Sequence, residues 1–221
     1  MRYGLAGMGG DRGRFVVLEG IDGSGTTTHV ARLADRLRAR SVPVRATREP
    51  SDGPVGVLVR QVLTGRLVVP GGRAPGWTTM ALLFAADRMD HIESQIDPYV
   101  EKGGVVLSDR YVASSLAYQS LSSGSEAARA VEWIQLINRY IRRPDATIVL
   151  DVSPETAAAR RQRRGEAAEL YEQSEMQREL AAFYRDLAKH MPGERVVVVD
   201  ANGTIDEVDE LVWSAYERAF A

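Results

Sequence analysis

At 221 residues, 44% of them hydrophobic, the chain is long enough to bury a substantial core and is expected to form one domain. Its 28 basic and 30 acidic residues leave a formal charge of −2, which gives no general drive toward nucleic acid or a membrane surface. It has no cysteine, which excludes a disulfide framework, a thiolate metal site and a cysteine nucleophile and fits a cytoplasmic protein. No apolar run approaches the ~20 residues of a membrane span. Residues 1–14 carry five glycines and no signal-like apolar region, and are expected to be a flexible N-terminal extension.

The expected domain runs from residue 15 to 221. Phe15 to Glu19 is an apolar, β-branched burst that suits a buried parallel strand. Gly20, Gly23 and Gly25 then allow a tight turn that lets backbone approach a ligand. From Thr26 onward the pattern is helical, with Val30, Leu33, Ala34 and Leu37 on one face. Strand, glycine loop and helix are the setting of a phosphate-binding P-loop, in which amide N–H groups and the helix N-terminus hold anionic oxygens. The strict signature is G-x-x-x-x-G-K-[ST]. Gly20 and Gly25 have its spacing and Thr27 sits at the magnesium-binding hydroxyl, but Thr26 stands where the lysine belongs.

Further along, Val42 to Thr47 reads as a second strand, followed by the turn-rich stretch from Arg48 to Gly53. A short helix is expected over 55–63, a loop over 69–76 and a long helix over 78–100, with Pro98 bending or ending it. Gly103-Gly104 precede a third strand from Val105 that ends in Ser108-Asp109-Arg110-Tyr111. A helix over 127–141, a fourth strand over 147–152, a helix begun by Pro154, a fifth strand over 195–200 and a closing helix over 204–220 complete the pattern. Strands of continuous apolar residues alternating with helices predict a three-layer α/β/α domain of the P-loop NTPase type, with a five-stranded parallel sheet covered on both faces. Its chemistry is expected at the carboxyl ends of the strands, where Asp22, Arg48 and Asp109-Arg110 all fall.

Taken in order, four segments resemble the thymidylate kinase family of P-loop nucleoside-monophosphate kinases. They are Glu19-Gly20-Ile21-Asp22-Gly23-Ser24-Gly25, Thr47-Arg48-Glu49-Pro50, Leu83-Phe84-Ala85-Ala86-Asp87-Arg88, and Asp109-Arg110-Tyr111 running into Ser114-Ser115-Leu116-Ala117-Tyr118-Gln119. The resemblance implies magnesium-assisted phosphoryl transfer from ATP to dTMP in a homodimer. It implies that Arg110 grips the acceptor phosphate with Arg48 as a second phosphate-side group, that Glu49-Pro50 is a cis-peptide candidate, and that Thr27 and Asp109 hold the metal. Phe84 and Arg88 lie one helical turn apart and address one ligand together. On its own Phe84 would read as core; the resemblance makes it the stacking platform for thymine and makes Arg88 the donor to its O4. Ser115 falls at the thymine edge with Gln119 nearby, Ser114 is a further substrate-binding residue, Tyr118 falls against the sugar C2′, and Asp22 at the 3′-hydroxyl.

For the donor, the resemblance implies contacts from Gly20, Asp22, Gly23, Ser24, Gly25, Thr26, Thr27 and Thr28, with Arg160 and Ala201 on the adenine side. Arg160-Arg161-Gln162-Arg163-Arg164 opens a segment, about 160–173, where the family carries a lid over the ATP phosphates. With Gly23 and Ser24 neutral, Arg161, Arg163 and Arg164 are the candidates for stabilising charge on the transferring group. The family's Asp-Arg lid element appears as Glu169-Leu170. A kinase for another deoxynucleotide or deoxynucleoside, and a nucleotide-binding protein that has lost catalysis, are the alternatives; Thr26 is the feature that favours the second.

Overall fold

The computed structural model describes residues 12–164 and 174–221. Residues 1–11 of the expected extension, the lid residues 165–173 with Glu169-Leu170, and the Arg164 side chain lie outside the described residues.

Strand β1 (Arg14–Glu19) starts one residue earlier than expected, because Arg14 already pairs with Val105 and its N–H bonds to the Gly104 carbonyl at 3.1 Å. It is followed by α1 (Thr26–Arg38), β2 (Val44–Arg48), α2 (Pro54–Leu63) and α3 (Trp77–His91). The long helix expected over 78–100 is interrupted. It widens to a π-helical turn over Ile92–Ile96 and ends in α4 (Asp97–Val100). The Asp97 N–H there reaches back five residues to the Ile92 carbonyl, just before Pro98, which has no N–H to donate.

Next come β3 (Val105–Asp109), α5 (Val112–Ser122), α6 (Ala127–Ile137) and β4 (Ala146–Asp151). Helix α6 stops short of the expected residue 141, because the Asn138 side chain folds back to donate to the Ile134 carbonyl at 2.8 Å. Helices α7 (Pro154–Arg164), α8 (Ser174–Arg185) and α9 (Leu187–His190), strand β5 (Val196–Asp200) and α10 (Ile205–Phe220) complete the described chain. Pro154 opens α7 as expected, and Thr204 caps α10 in a reciprocal capping box with Glu207.

The sheet is wholly parallel, in the order β2-β3-β1-β4-β5, with helices on both faces. Phe15 to Leu18, Val105 to Leu107 and Ile148 to Leu150 are almost wholly excluded from solvent, so the three central strands are covered on both sides. The two edge strands are not. In β2 only Val44 is buried, and Val198 of β5 is exposed, because an edge strand lies where both the sheet and its helical layers run out. Among the described residues no helix is long and apolar enough to cross a membrane.

Register fixes where chemistry can occur. Leu18 and Arg48 both lie opposite Asp109, and Asp151 lies opposite Asp200, so the carboxyl ends of all five strands open on one rim.

Candidate active site

The glycine loop between β1 and α1 has the geometry of an anion cradle. Gly25 takes the N-cap position of α1 in a left-handed conformation (φ +98°), with no side chain capping the helix. The first-turn amides of Thr26, Thr27 and Thr28 therefore face the loop's concavity, where the helix dipole favours negative charge. Gly23, also left-handed at φ +93°, lies so close to α7 that a β-carbon there would stand 2.5 Å from the Ala157 carbonyl. Thr26 is buried, so its short side chain does not extend over the cradle as a lysine would.

Arginines from α7 do reach the loop. Arg161 donates to the Asp22 carbonyl. Arg160 bridges the Ser24 carbonyl (3.3 Å) and the Gly203 carbonyl (2.9 Å). Arg160 and Arg163 line an open cleft with Gly23, Gly25, Thr28, His29, Asn202 and Gly203, beside the P-loop. Ala201 does not face that cleft: it is fully buried with its N–H on the Asp151 carbonyl at 2.8 Å, and its neighbours Asn202 and Gly203 form the wall.

A second cavity lies on the other side of Asp22. It gathers Glu49, Pro50, Phe84, Arg88, Arg110, Ser114, Ser115, Tyr118 and Gln119, every acceptor-site expectation except Arg48, and adds Leu63 and Tyr111. The Glu49-Pro50 peptide is cis, as expected. Arg48 instead lines an adjoining cleft with Thr27 and Asp109 and pairs with Asp52 at 3.0 Å.

Arg88 is wholly buried and held from three sides. Its Nε and Nη2 reach Glu49 Oε2 (3.0 and 2.8 Å), Nη2 also donates to Ser115 (3.0 Å), and Nη1 donates to Asn138 (2.6 Å). Of its five N–H groups this leaves one on Nη1. Phe84, one turn away on the same face of α3, is half-buried, packed against the cluster of Val59, Val62 and Met80 and open to the cavity. The Gln119 side-chain oxygen is buried and has no hydrogen-bond partner among the described residues. The wall thus offers one donor and one acceptor over an aromatic platform.

Arg110 joins the two sides. Its Nη2 pairs with Asp22 at 2.5 Å, and its Nη1 donates to the Gly20 carbonyl (2.9 Å), Ser114 (3.1 Å) and Tyr184 (3.4 Å). The guanidinium also faces the Tyr118 ring at 5.4 Å. Beneath it Glu19, fully buried, accepts from the Tyr111 and Ser114 amides (2.7 and 3.2 Å), the Ser114 hydroxyl (2.7 Å) and the Tyr184 hydroxyl (3.1 Å). A carboxylate from β1 thereby caps α5. Burial pushes the Glu19 carboxyl up to about 7, against the pull of Arg110 and of these donors.

The sign of the resulting pH effect is definite. A folded-state value raised from 4.5 to about 7 means that the folded chain holds this proton more tightly, so the contribution to stability is full below 4.5 and is lost as pH rises through 7. His29 and His190, both lowered by burial, act in the opposite direction below their ordinary 6.5. Denaturant unfolding of Glu19→Gln against the unmodified protein removes those common contributions. Between pH 4.5 and 7 the difference should shift against the unmodified chain; a difference that stays flat would contradict this.

In the cleft they share with Arg48, the Thr27 hydroxyl donates to Asp109 Oδ2, while the buried Asp109 Oδ1 has no partner among the described residues. Among these residues no cluster of three or more His, Asp or Glu forms a cation cage. Asn138, Tyr184 and His91 are the site's unforeseen supports. Glu19 carried a legible signal, a carboxylate closing an apolar strand; Tyr184 carried none, since α8 brings it in from 165 residues away.

Comparison with known proteins agrees with this geometry. The family model for thymidylate kinase matches residues 18–212. A probable thymidylate kinase of Pyrococcus abyssi is 40% identical over 90% of this chain and 93% of its own length. The thymidylate kinase of Symbiobacterium thermophilum is 41% identical over 89% of each. That of Rhodopseudomonas palustris is 35% identical over 94% of this chain and 90% of its own. With matches of this length on a P-loop fold, the chain belongs to the thymidylate kinase family.

Proposed function

We propose that this protein transfers the γ-phosphoryl group of ATP to dTMP, giving ADP and dTDP. The observation that carries the acceptor assignment is the pairing, over Phe84, of one remaining Arg88 N–H with the unpartnered oxygen of Gln119. Thymine presents an acceptor (O4) beside a donor (N3–H) and matches that pair; cytosine presents the reverse. ATP takes the P-loop cradle and the cleft under Arg160 and Arg163, the dTMP phosphate meets Arg110, and Asp22 lies between, positioned for the 3′-hydroxyl. Transfer of this kind needs positioning and charge neutralisation more than a protein nucleophile.

Magnesium fits Thr27 and Asp109, given the unpartnered Oδ1, because this ion keeps most of its shell as water and phosphate oxygen and takes only one or two protein ligands. It supplies positive charge at the donor phosphates. A homodimer and a cytoplasmic location belong to the same proposal.

An acceptor panel tests it. kcat/KM for dTMP should exceed that for dCMP by on the order of 10³ or more, since the wrong base leaves buried polar groups unpaired. A preference for dCMP, or for the nucleoside over its monophosphate, would contradict the assignment. Because Arg88 is paired with a buried Glu49, Arg88→Lys is the informative variant: it keeps the charge and loses the fork. It should weaken dTMP binding by roughly 1.5–3 kcal/mol and leave ATP binding unchanged in calorimetry. Tyr118→Ala should narrow the preference for dTMP over its ribose counterpart by about tenfold if the ring fills the space beside C2′. An unchanged ratio would remove Tyr118 from the sugar site.

A further inference from the structure

We propose that His91, which does not line the acceptor cavity, is a positioning residue for base recognition: by holding Glu49 it fixes the guanidinium of Arg88. The inference rests on the reading above, that the Arg88 end of the cavity takes the base.

Three residues of α3 reach back to the segment leaving β2. Asp87 accepts from the Ser51 amide (2.8 Å) and hydroxyl (2.5 Å). Arg88 takes one oxygen of Glu49, Oε2, at 3.0 and 2.8 Å. His91 takes the other, its Nδ1 lying 3.3 Å from Oε1, while its Nε2 lies 2.7 Å from the Thr47 hydroxyl. The Glu49 oxygen only accepts, so Nδ1 carries the hydrogen of that bond. His91, Glu49 and Arg88 are all buried, so the loss of any of these partners is costly.

The consequence follows from counting donors. Nε and Nη2 of Arg88 are committed to Glu49 and Ser115, and one Nη1 hydrogen to Asn138, so a single Nη1 hydrogen is left for a base. Its direction is set by the Glu49 carboxylate, which takes two of the N–H groups, together with Ser115 and Asn138. Held at Oε2 alone, that carboxylate could turn about its last torsion, and a rotation of about 10–20° is enough to spoil a hydrogen-bonding site. His91 at Oε1, itself pinned by Thr47, prevents the turn. Thr47 and Glu49 sit at the end of β2 and Arg88 and His91 on α3, so the chain of bonds ties the base site to the sheet.

Steady-state kinetics of the full chain with dTMP and MgATP test this. His91→Phe should raise KM for dTMP by about tenfold, the lower end of what loss of a supporting partner costs, with KM for ATP and kcat within about twofold. His91→Asn, which places an amide donor near the Nδ1 position, should restore most of the loss. In an Arg88→Lys background His91→Phe should add nothing, since the two act through one contact. If His91→Phe does not fold, Thr47→Val, which keeps the side-chain volume, should give a dTMP-specific increase of about threefold. The proposal is overturned if KM values for both substrates rise together, if the His91→Phe effect persists in the Arg88→Lys background, or if neither His91→Phe nor Thr47→Val changes KM for dTMP. Arg88→Lys alone separates the two levels. Should it leave KM for dTMP unchanged, the base-site reading falls and takes this proposal with it; should it raise KM while His91→Phe does not, only the role of His91 is lost.

Discussion

Replacing Arg161 by alanine is expected to lower kcat for phosphoryl transfer by on the order of 10²–10³ while leaving KM for dTMP within a few-fold, the loss typical of one preorganised donor at a developing charge. The expectation begins at Thr26. A P-loop lysine would lay an ammonium along the β- and γ-phosphates, whereas the buried threonine brings one hydroxyl, no charge and too little length. Among the described residues Arg161 is the α7 arginine that contacts the P-loop on the Asp22 side, where donor and acceptor sites meet. Arg160 is tied to the Ser24 and Gly203 carbonyls, and Arg163 is exposed in the cleft beside the P-loop. Rapid-quench kinetics with Thr26→Lys, Arg161→Ala and the double variant check the claim. Thr26→Lys should partly restore Arg161→Ala, because two cations serving one charge couple non-additively. Independent effects, or an Arg161→Ala enzyme of normal rate, would contradict the compensation.

Arg110→Ala is expected to be at least as damaging, but on the acceptor side. The guanidinium holds Asp22, the Gly20 carbonyl and Ser114 in one fork, from a backbone in the left-handed region at φ +70°. A bulky residue in that region is strained by about 1–3 kcal/mol, a cost that persists only where the surrounding structure fixes it. Losing two charge-assisted bonds to a phosphate, at roughly 1.5–3 kcal/mol each, predicts a fall in kcat/KM for dTMP on the order of 10²–10⁴. Calorimetry should show ATP binding within about threefold of normal. A variant whose kcat/KM for dTMP stays within tenfold would take Arg110 out of the phosphate site.

How much of this was legible in the chain depended on how local the cause was. The buried strands announced themselves because Phe15-Val16-Val17-Leu18 and Ile148-Val149-Leu150 are covered on both faces and need no alternation. The phosphate loop was readable from Gly20 and Gly25, and Phe84 and Arg88 from helical spacing, since both signals span a few residues. Strand order was not encoded in any one segment, and Val196 to Val199 looked like a covered strand although it closes an edge with Val198 exposed. The π-helical turn before Pro98 was masked because Ile92 to Ile96 contains no glycine or proline to mark a break. The supports of the site were the least visible. Asn138 reaches Arg88 across 50 residues and Tyr184 reaches Glu19 across 165, and nothing in their own neighbourhoods marks them. Arg48 shows the converse: its place in a motif suggested the acceptor cavity, but it pairs with Asp52 and lines the adjoining cleft with Thr27 and Asp109.

A P-loop with Thr26 at the lysine position should still support transfer to dTMP. Single-turnover reaction of the unmodified protein with γ-labelled ATP, magnesium and dTMP decides whether it does. The label should pass into dTDP, in step with ADP formation and in dependence on dTMP. Tight binding of both nucleotides in calorimetry, with no label in dTDP, would contradict it and leave a nucleotide-binding protein on a kinase fold.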